Sequence, residues 1–203
     1  VSITDYSDSE LLVSLYTKGL YLFNKETGRY SRPFYVINEA TTIDQFHSGN
    51  ASMAYRITDE WSYYLGKNAI THNHRTGNYS FLKIDGGRLA TGPMKMVCTD
   101  DQSAFIIQSN KLYEAHHGND TLYTLLSIGE HEAIKAVARD KNGIFWIGTE
   151  YGFGYFDSKT RVFTKIETKL FNSVSTLLLD DQDRLWIGAR NMLFSYDLKK
   201  KRF

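Results

Sequence analysis

The strongest constraint on this chain is that it repeats itself. Asp140, Gly143, Phe145, Trp146, Ile147, Gly148 and Thr149 are echoed by Asp180, Asp183, Leu185, Trp186, Ile187, Gly188 and Ala189, with the tryptophans 40 residues apart. Each tryptophan is followed 11 residues later by an aspartate, Asp157 or Asp197, and six further on by Phe163 or Phe203. Weaker copies on the same ruler are anchored at Val13, Tyr64 and Phe105. The anchors 13, 64, 105, 146 and 186 are spaced by 51, 41, 41 and 40 residues. A period of this size means stacked structural units.

Each repeat reads as four short strands. In the clearest copy they are 134–139, 144–149, 152–156 and 162–167. Asp140 to Gly143 form a hairpin turn, in which glycine supplies positive φ. The composition agrees, with 14 Tyr, 12 Phe and 3 Trp but only two Pro; aromatic residues favour strands. In the second strand Trp146 and Gly148 point one way and Phe145 and Ile147 the other. A strand apolar on both faces must lie between neighbours, so one unit cannot bury itself alone. The prediction is an all-β fold, a β-propeller of four-stranded antiparallel blades. About five blades are present, as repeats 1–45, 46–93, 94–133, 134–173 and 174–203, the last incomplete. Trp146 and Trp186 are expected at equivalent buried positions. Tyr64 is expected in register with them.

Several classes of function lose support. The formal net charge is +1, so there is no concentrated basic surface for nucleic acid. Apolar runs stop at about five or six residues against the roughly 20 a spanning helix needs, so membrane attachment would require segments outside this stretch. No charged-then-apolar leader is visible. The single cysteine, Cys98, excludes an internal disulfide and cysteine-based zinc motifs. His72 and His74, and the adjacent His116 and His117, have metal-ligand character. In register, however, His72 falls on the aromatic Phe156 and Tyr196, and His74 on the turn residue Ser158. His131 and Glu132 lack the second histidine of a zinc helix motif. Lys199 to Arg202 falls on an outer hairpin turn. There is no serine elbow, phosphate loop or zinc triad. The expectation is no metal, no cofactor and no catalytic residue.

The repeat resembles the two-component regulator propeller repeat. The residues that carry the resemblance are Asp140, Gly143, the Phe145 to Thr149 run, Gly152, Phe153, Phe156, Asp157, Thr160 and Phe163. The copy from Asp180 to Phe203 has Asp183 for the turn glycine and Ala189 for the threonine. The copy ending at Tyr30 keeps Gly19, Leu20, Phe23, Asn24 and Thr27 but has no tryptophan. The resemblance implies a periplasmic sensor of a hybrid histidine kinase that responds to glycan breakdown products. It also implies that these repeats are a fragment of a larger, seven-bladed type. A protein-interaction scaffold is the alternative, followed by a glycan-active, sialidase-like enzyme.

The turns joining second and third strands gather at one rim of the blades: Thr17 and Lys18, Lys67 and Asn68, Ser109 and Asn110, Glu150 and Tyr151, Arg190 and Asn191. The linkers 36–43, 86–94, 129–133 and 169–173 lie at the same end. These turns vary while those at the far end stay rich in aspartate, which suits a binding surface on a constant scaffold. Trp61, Lys67, Asn68, Asn110, Glu150, Tyr151, Arg190 and Asn191 are the candidate ligand contacts. The expected partners are a small saccharide or a partner protein, with self-association through the propeller surfaces. Trp61 joins the set because a sugar's C–H face stacks on a ring.

Overall fold

The computed structural model describes residues 2–15, 19–31, 53–66, 68–99 and 102–203, and no helix occurs among them. The first sheet contains β1 (Ser2–Asp5), β2 (Glu10–Leu15), β3 (Gly19–Asn24) and β4 (Tyr30–Ser31), paired in that order. The second contains β5 (Met53–Arg56), β6 (Trp61–Leu65), β7 (Ala69–Asn73) and β8 (Tyr79–Phe81). The third comprises β9 (Lys83–Ile84), β10 (Arg88–Leu89), β11 (Lys95–Thr99), β12 (Ser103–Gln108), β13 (Lys111–His116) and β14 (Thr121–Ser127). The fourth is β15 (Ile134–Arg139), β16 (Ile144–Thr149), β17 (Gly152–Asp157) and β18 (Val162–Ile166). The fifth is β19 (Thr176–Leu179), β20 (Arg184–Ala189) and β21 (Met192–Asp197).

The antiparallel meander follows the four-strand order of the repeat, and the fifth sheet has three strands among the described residues. The third sheet departs from it. Its order is β10-β9-β14-β13-β12-β11, with β9 parallel to β14. The stretch 86–94, expected to be a plain linker, contains β10, which pairs with β9 as Arg88 with Ile84 and Leu89 with Lys83. The linker 36–43 lies outside the described residues.

By compactness the chain divides into two units, Val1–Ala104 with Ala115–Tyr123, and Phe105–Glu114 with Thr124–Phe203. In the first unit Leu12 of the first sheet packs with Tyr64 and Ile70 of the second. Strand pairing shifts the ruler here by one residue. Trp61 opposes Asn73 as Ile144 opposes Asp157, and Glu10 opposes Asn24. Tyr63 and Leu12, rather than Tyr64 and Val13, therefore occupy the tryptophan position. One residue reverses the face in a strand, so Tyr64 is buried on the side opposite to the expected one. The cause is local: β6 and β7 are joined by three residues, 66–68, where β16 and β17 are joined by two. Matching on aromatic character cannot count that turn.

In the second unit the fourth sheet lays Ala136, Ala138, Trp146 and Phe153 against Leu177, Leu185, Ile187 and Tyr196 of the fifth and against Val174 just before it. Trp146 is 8% exposed. Trp186 holds the same register, Trp186 opposite Leu178 as Trp146 is opposite Ala138, but it is only half-buried. The expectation of equal burial fails because, within this unit, no sheet covers the outer face of β19–β21.

The turns are built as the repeat requires. Asp140 Oδ1 accepts from Asn142 N at 2.9 Å and Ile144 N at 3.0 Å, and Gly143 has φ +83°. Asp183 takes the same place with φ +60°; aspartate tolerates this region better than most residues. Its carboxylate also meets Lys141 at 2.9 Å and Lys199 at 3.0 Å. These ion pairs link the outer turns of the fourth and fifth sheets.

Gly148 provides the closest approach between these sheets. A Cβ there would lie 2.5 Å from Val174 Cγ1 and 3.0 Å from its Cβ, and valine is stiff at χ1. Gly148→Ala should therefore destabilise the protein by about 1–3 kcal/mol, measured by urea unfolding. The same change in a Val174→Ala background should cost markedly less; equal costs in the two backgrounds would contradict this packing.

Candidate functional site

The expected rim is built most completely in the second unit, where three turns join second to third strands. They carry Asn110, the pair Glu150 and Tyr151, and the pair Arg190 and Asn191. Asn110 is committed to the scaffold. Its Nδ2 donates to Ile128 O at 2.8 Å, and Ile128 N donates to Asn110 O at 3.0 Å. This fastens the chain leaving β14. Glu150 pairs with Lys135 at 2.7 Å. Tyr151 is 57% exposed, and Arg190 and Asn191 are exposed beside their strand ends.

Beneath Tyr151 lies a network that repeat matching did not single out. The buried Thr149 hydroxyl bonds the Glu132 carboxylate and accepts from Tyr151 N at 3.1 Å. Glu132 belongs to the linker 129–133, so this contact joins linker and turn. Val174 N donates to Thr149 O at 2.9 Å, and Ile134 N donates to Ser109 O at 2.9 Å. The ends of linkers 129–133 and 169–173 are thus tied back to the preceding sheet. The clue in the sequence is the replacement of Thr149 by Ala189 in the next copy. Alanine cannot make these bonds, and Arg190 takes φ +51° in the turn that follows.

The candidates of the first unit do not form one cluster. Thr17, Lys18 and Lys67 lie outside the described residues. Asn68 is half-buried, its carbonyl accepts from Gly66 N at 3.2 Å, and it forms a bridge with Thr91. Trp61 stands at the opposite end of β6 from the 66–68 turn, since it pairs with Asn73 while Leu65 pairs with Ala69. Its ring lies 3.6 Å from where a Cβ on Gly118 would be. It covers a far-end turn.

The histidines form a packed seam. His72 stacks on Tyr79 with ring centres 4.0 Å apart and meets His74 at 4.4 Å. His72 is 7% exposed and its Nδ1 has no hydrogen-bond partner. Burial, together with the neighbouring His74, lowers its pKa from 6.5 to about 4. The Tyr63 hydroxyl bonds His117 Nδ1 at 3.0 Å, and burial raises the tyrosine pKa. Ser62 bonds His74 Nε2 at 2.8 Å and Ser103 bonds His116 Nδ1 at 2.9 Å. Such pairs can activate a serine nucleophile. Here Ser62 and Ser103 are both buried, so no substrate reaches either hydroxyl and the bonds serve packing. Among the described residues no three His, Cys, Asp or Glu side chains converge as a metal site, and no helix is long and apolar enough to cross a membrane.

At these turns of the second unit the Tyr151 ring and the Arg190 side chain are exposed, and Glu150 is paired with Lys135. Comparison with known proteins identifies the repeats. Residues 129–151 and 169–191 match the family model described as "Two component regulator propeller".

Among solved structures, the extracellular domain of the putative one component system BT4673 from B. thetaiotaomicron is similar at TM-score 0.68 and 15% identity, covering 93% of this chain and 26% of that one. The extracellular domain of the putative hybrid two component system BT3049 from B. thetaiotaomicron gives 0.67 and 16%, covering 99% and 27%. The computationally designed Ika8 protein gives 0.68 and 14%, covering 99% and 60%. The chain spans about a quarter of the length of the two natural domains. A designed protein matches as well as they do, so these likenesses establish the β-propeller fold alone. No curated protein matches the chain.

His72 makes a pH signature. Above about pH 6.5 its ring is neutral whether folded or unfolded and adds no pH dependence. As pH falls below 6.5 the unfolded chain binds a proton that the packed ring refuses until about pH 4, so stability falls through this window. At about 1.4 kcal/mol per pH unit the loss approaches ~3 kcal/mol. Urea unfolding at pH 7 and pH 4.5 should show a smaller acid loss for His72→Phe than for the natural protein. An unchanged acid loss would contradict the assignment.

Proposed function

We propose that this chain is a ligand-sensing stretch of an extracytoplasmic propeller belonging to a two-component regulator. The observation that carries the reading is the in-register pair of regulator propeller repeats at 129–151 and 169–191. The parent is a hybrid histidine kinase anchored in the inner membrane, with this region in the periplasm. Its signal is a breakdown product of a complex glycan. The ligand binds the rim of the second unit, where Tyr151 stacks on a sugar face, and Glu150, Lys135 and Arg190 bond its hydroxyl or carboxylate groups. Linkers bonded to these turns, as Glu132 is to Thr149, carry a change at the rim into the packing between sheets. Signalling requires the ligand to favour one packing arrangement over another.

Titration calorimetry with a library of oligosaccharides tests this reading. The expected result is saturable binding without turnover, weakened at least about tenfold by Tyr151→Ala, which removes a stacking contact of about 1.4 kcal/mol or more. Turnover of a glycan would make the protein an enzyme. Absence of binding to every sugar would favour a protein-interaction scaffold.

A further inference from the structure

Among the fourth strands of the repeats, β14 of the third sheet stands out chemically. It is the longest strand among the described residues, with seven. It reads Thr-Leu-Tyr-Thr-Leu-Leu-Ser and holds no charged residue, proline or glycine. The equivalent strands of the first, second and fourth sheets have two, three and five residues, and β18 carries Lys165. A long, uncharged strand with aromatic and β-branched residues is a template for pairing with another chain when its edge is open.

Two features cover this edge, and neither is part of the repeat pattern. The hairpin of β9 and β10 covers its first part. Lys83 N donates to Asp120 O at 2.7 Å and Asp85 N to Leu122 O at 2.9 Å, while the Lys83 ammonium meets the Asp120 carboxylate at 2.7 Å. Asp85 at φ +49° and Gly86 at φ +73° turn the chain back. The margin then passes to β10, whose two residues, Arg88 and Leu89, are exposed. So short a strand with an arginine in it is a poor template. Arg161 covers the next part, its guanidinium donating to Thr124 O at 3.2 Å and Leu125 O at 3.4 Å. Arg161 N closes its own turn onto Asp157 O, as Gly28 N closes onto Asn24 O and Gly77 N onto Asn73 O. That position takes positive φ, +66° at Gly28 and +71° at Gly77, which glycine adopts freely. Basic residues hold it in the last two copies, Arg161 at +57° and Lys201 at +52°. Arginine bears the strain of that conformation, and from there its side chain reaches two carbonyl groups beyond the end of β9.

We propose that the edge of β14 is a strand-pairing surface kept closed by the 83–89 hairpin and Arg161, and that its occupant, once it is open, is the same edge of a second copy of this chain. The strand's own sequence selects that occupant. With no charge in its seven residues, it meets no like-charge repulsion from its copy. Antiparallel pairing about a two-fold axis sets the two identical edges against each other and closes at a dimer. Tyr123, 40% exposed, lies within the strand, so aromatic and β-branched contacts across the pair add to the backbone bonds.

Opening the edge in the whole chain tests this. Arg161→Gly removes the guanidinium and leaves a residue suited to the turn. Asp85→Pro removes the N–H that bonds Leu122 O, and proline cannot take positive φ. Sedimentation over about 10–500 μM should give the double variant a self-association constant at least about tenfold above that of the natural chain, with no species larger than the dimer. Arg161→Gly alone should give a smaller rise; it carries the test where circular dichroism shows the double variant to be unfolded. Tyr123→Lys, which puts a charge on the strand, should remove the rise from either variant and leave the natural chain unaffected. An Arg161→Gly protein that associates no more than the natural chain would overturn the proposal. So would a rise that survives Tyr123→Lys, or growth beyond the dimer, since open-ended assembly needs an unlike surface as the partner. No ligand enters the measurement, so its outcome stands apart from the sensor reading.

Discussion

A thin sheet with oily residues on both faces cannot exist alone in water. In this chain the constraint is concentrated at Gly148 and Trp146. The glycine opens a hole, Val174 from the segment leading into the next sheet enters it, and Tyr155 and Tyr196 flank the tryptophan that covers the rest. Each CH₂ hidden in this way contributes about 0.8 kcal/mol, and only another sheet supplies the surface. The order of the chain follows from this requirement, because consecutive repeats are the nearest available covers.

The same economy explains where variation is free. Turns at one end close hairpins tightly and are held by Asp140, Asp157, Asp180 and Asp197, each accepting backbone N–H bonds. Turns at the other end close with two or three residues and few side-chain demands. Their side chains are exposed, as with Tyr151 and Arg190, unless they are recruited to tie a linker, as with Asn110 and Thr149.

Much of the fold was legible in the sequence because tryptophan, glycine and aspartate recur at fixed spacing. The strands 134–139 and 144–149 coincide with β15 and β16. Legibility failed where spacing and chemistry diverge. Tyr63 and Tyr64 are adjacent aromatics, and only backbone pairing shows that Tyr63 holds the tryptophan position. The short strands β9 and β10 have two residues each, too few for any period to appear. At the candidate site the turns were legible but their partners were not. Nothing near Thr149 in sequence announces Glu132, 17 residues away, and Trp61 was misplaced because an aromatic side chain does not declare its end of a strand.

The central claim is that two tryptophans in identical register differ in environment solely because one is covered by a neighbouring sheet. Iodide quenching of single-tryptophan variants tests it directly. With Trp61→Phe and Trp186→Phe, the remaining Trp146 should emit at short wavelength and resist quenching. With Trp61→Phe and Trp146→Phe, Trp186 should emit further to the red and be quenched readily. Equal accessibility of the two indoles would contradict the stacking of these sheets.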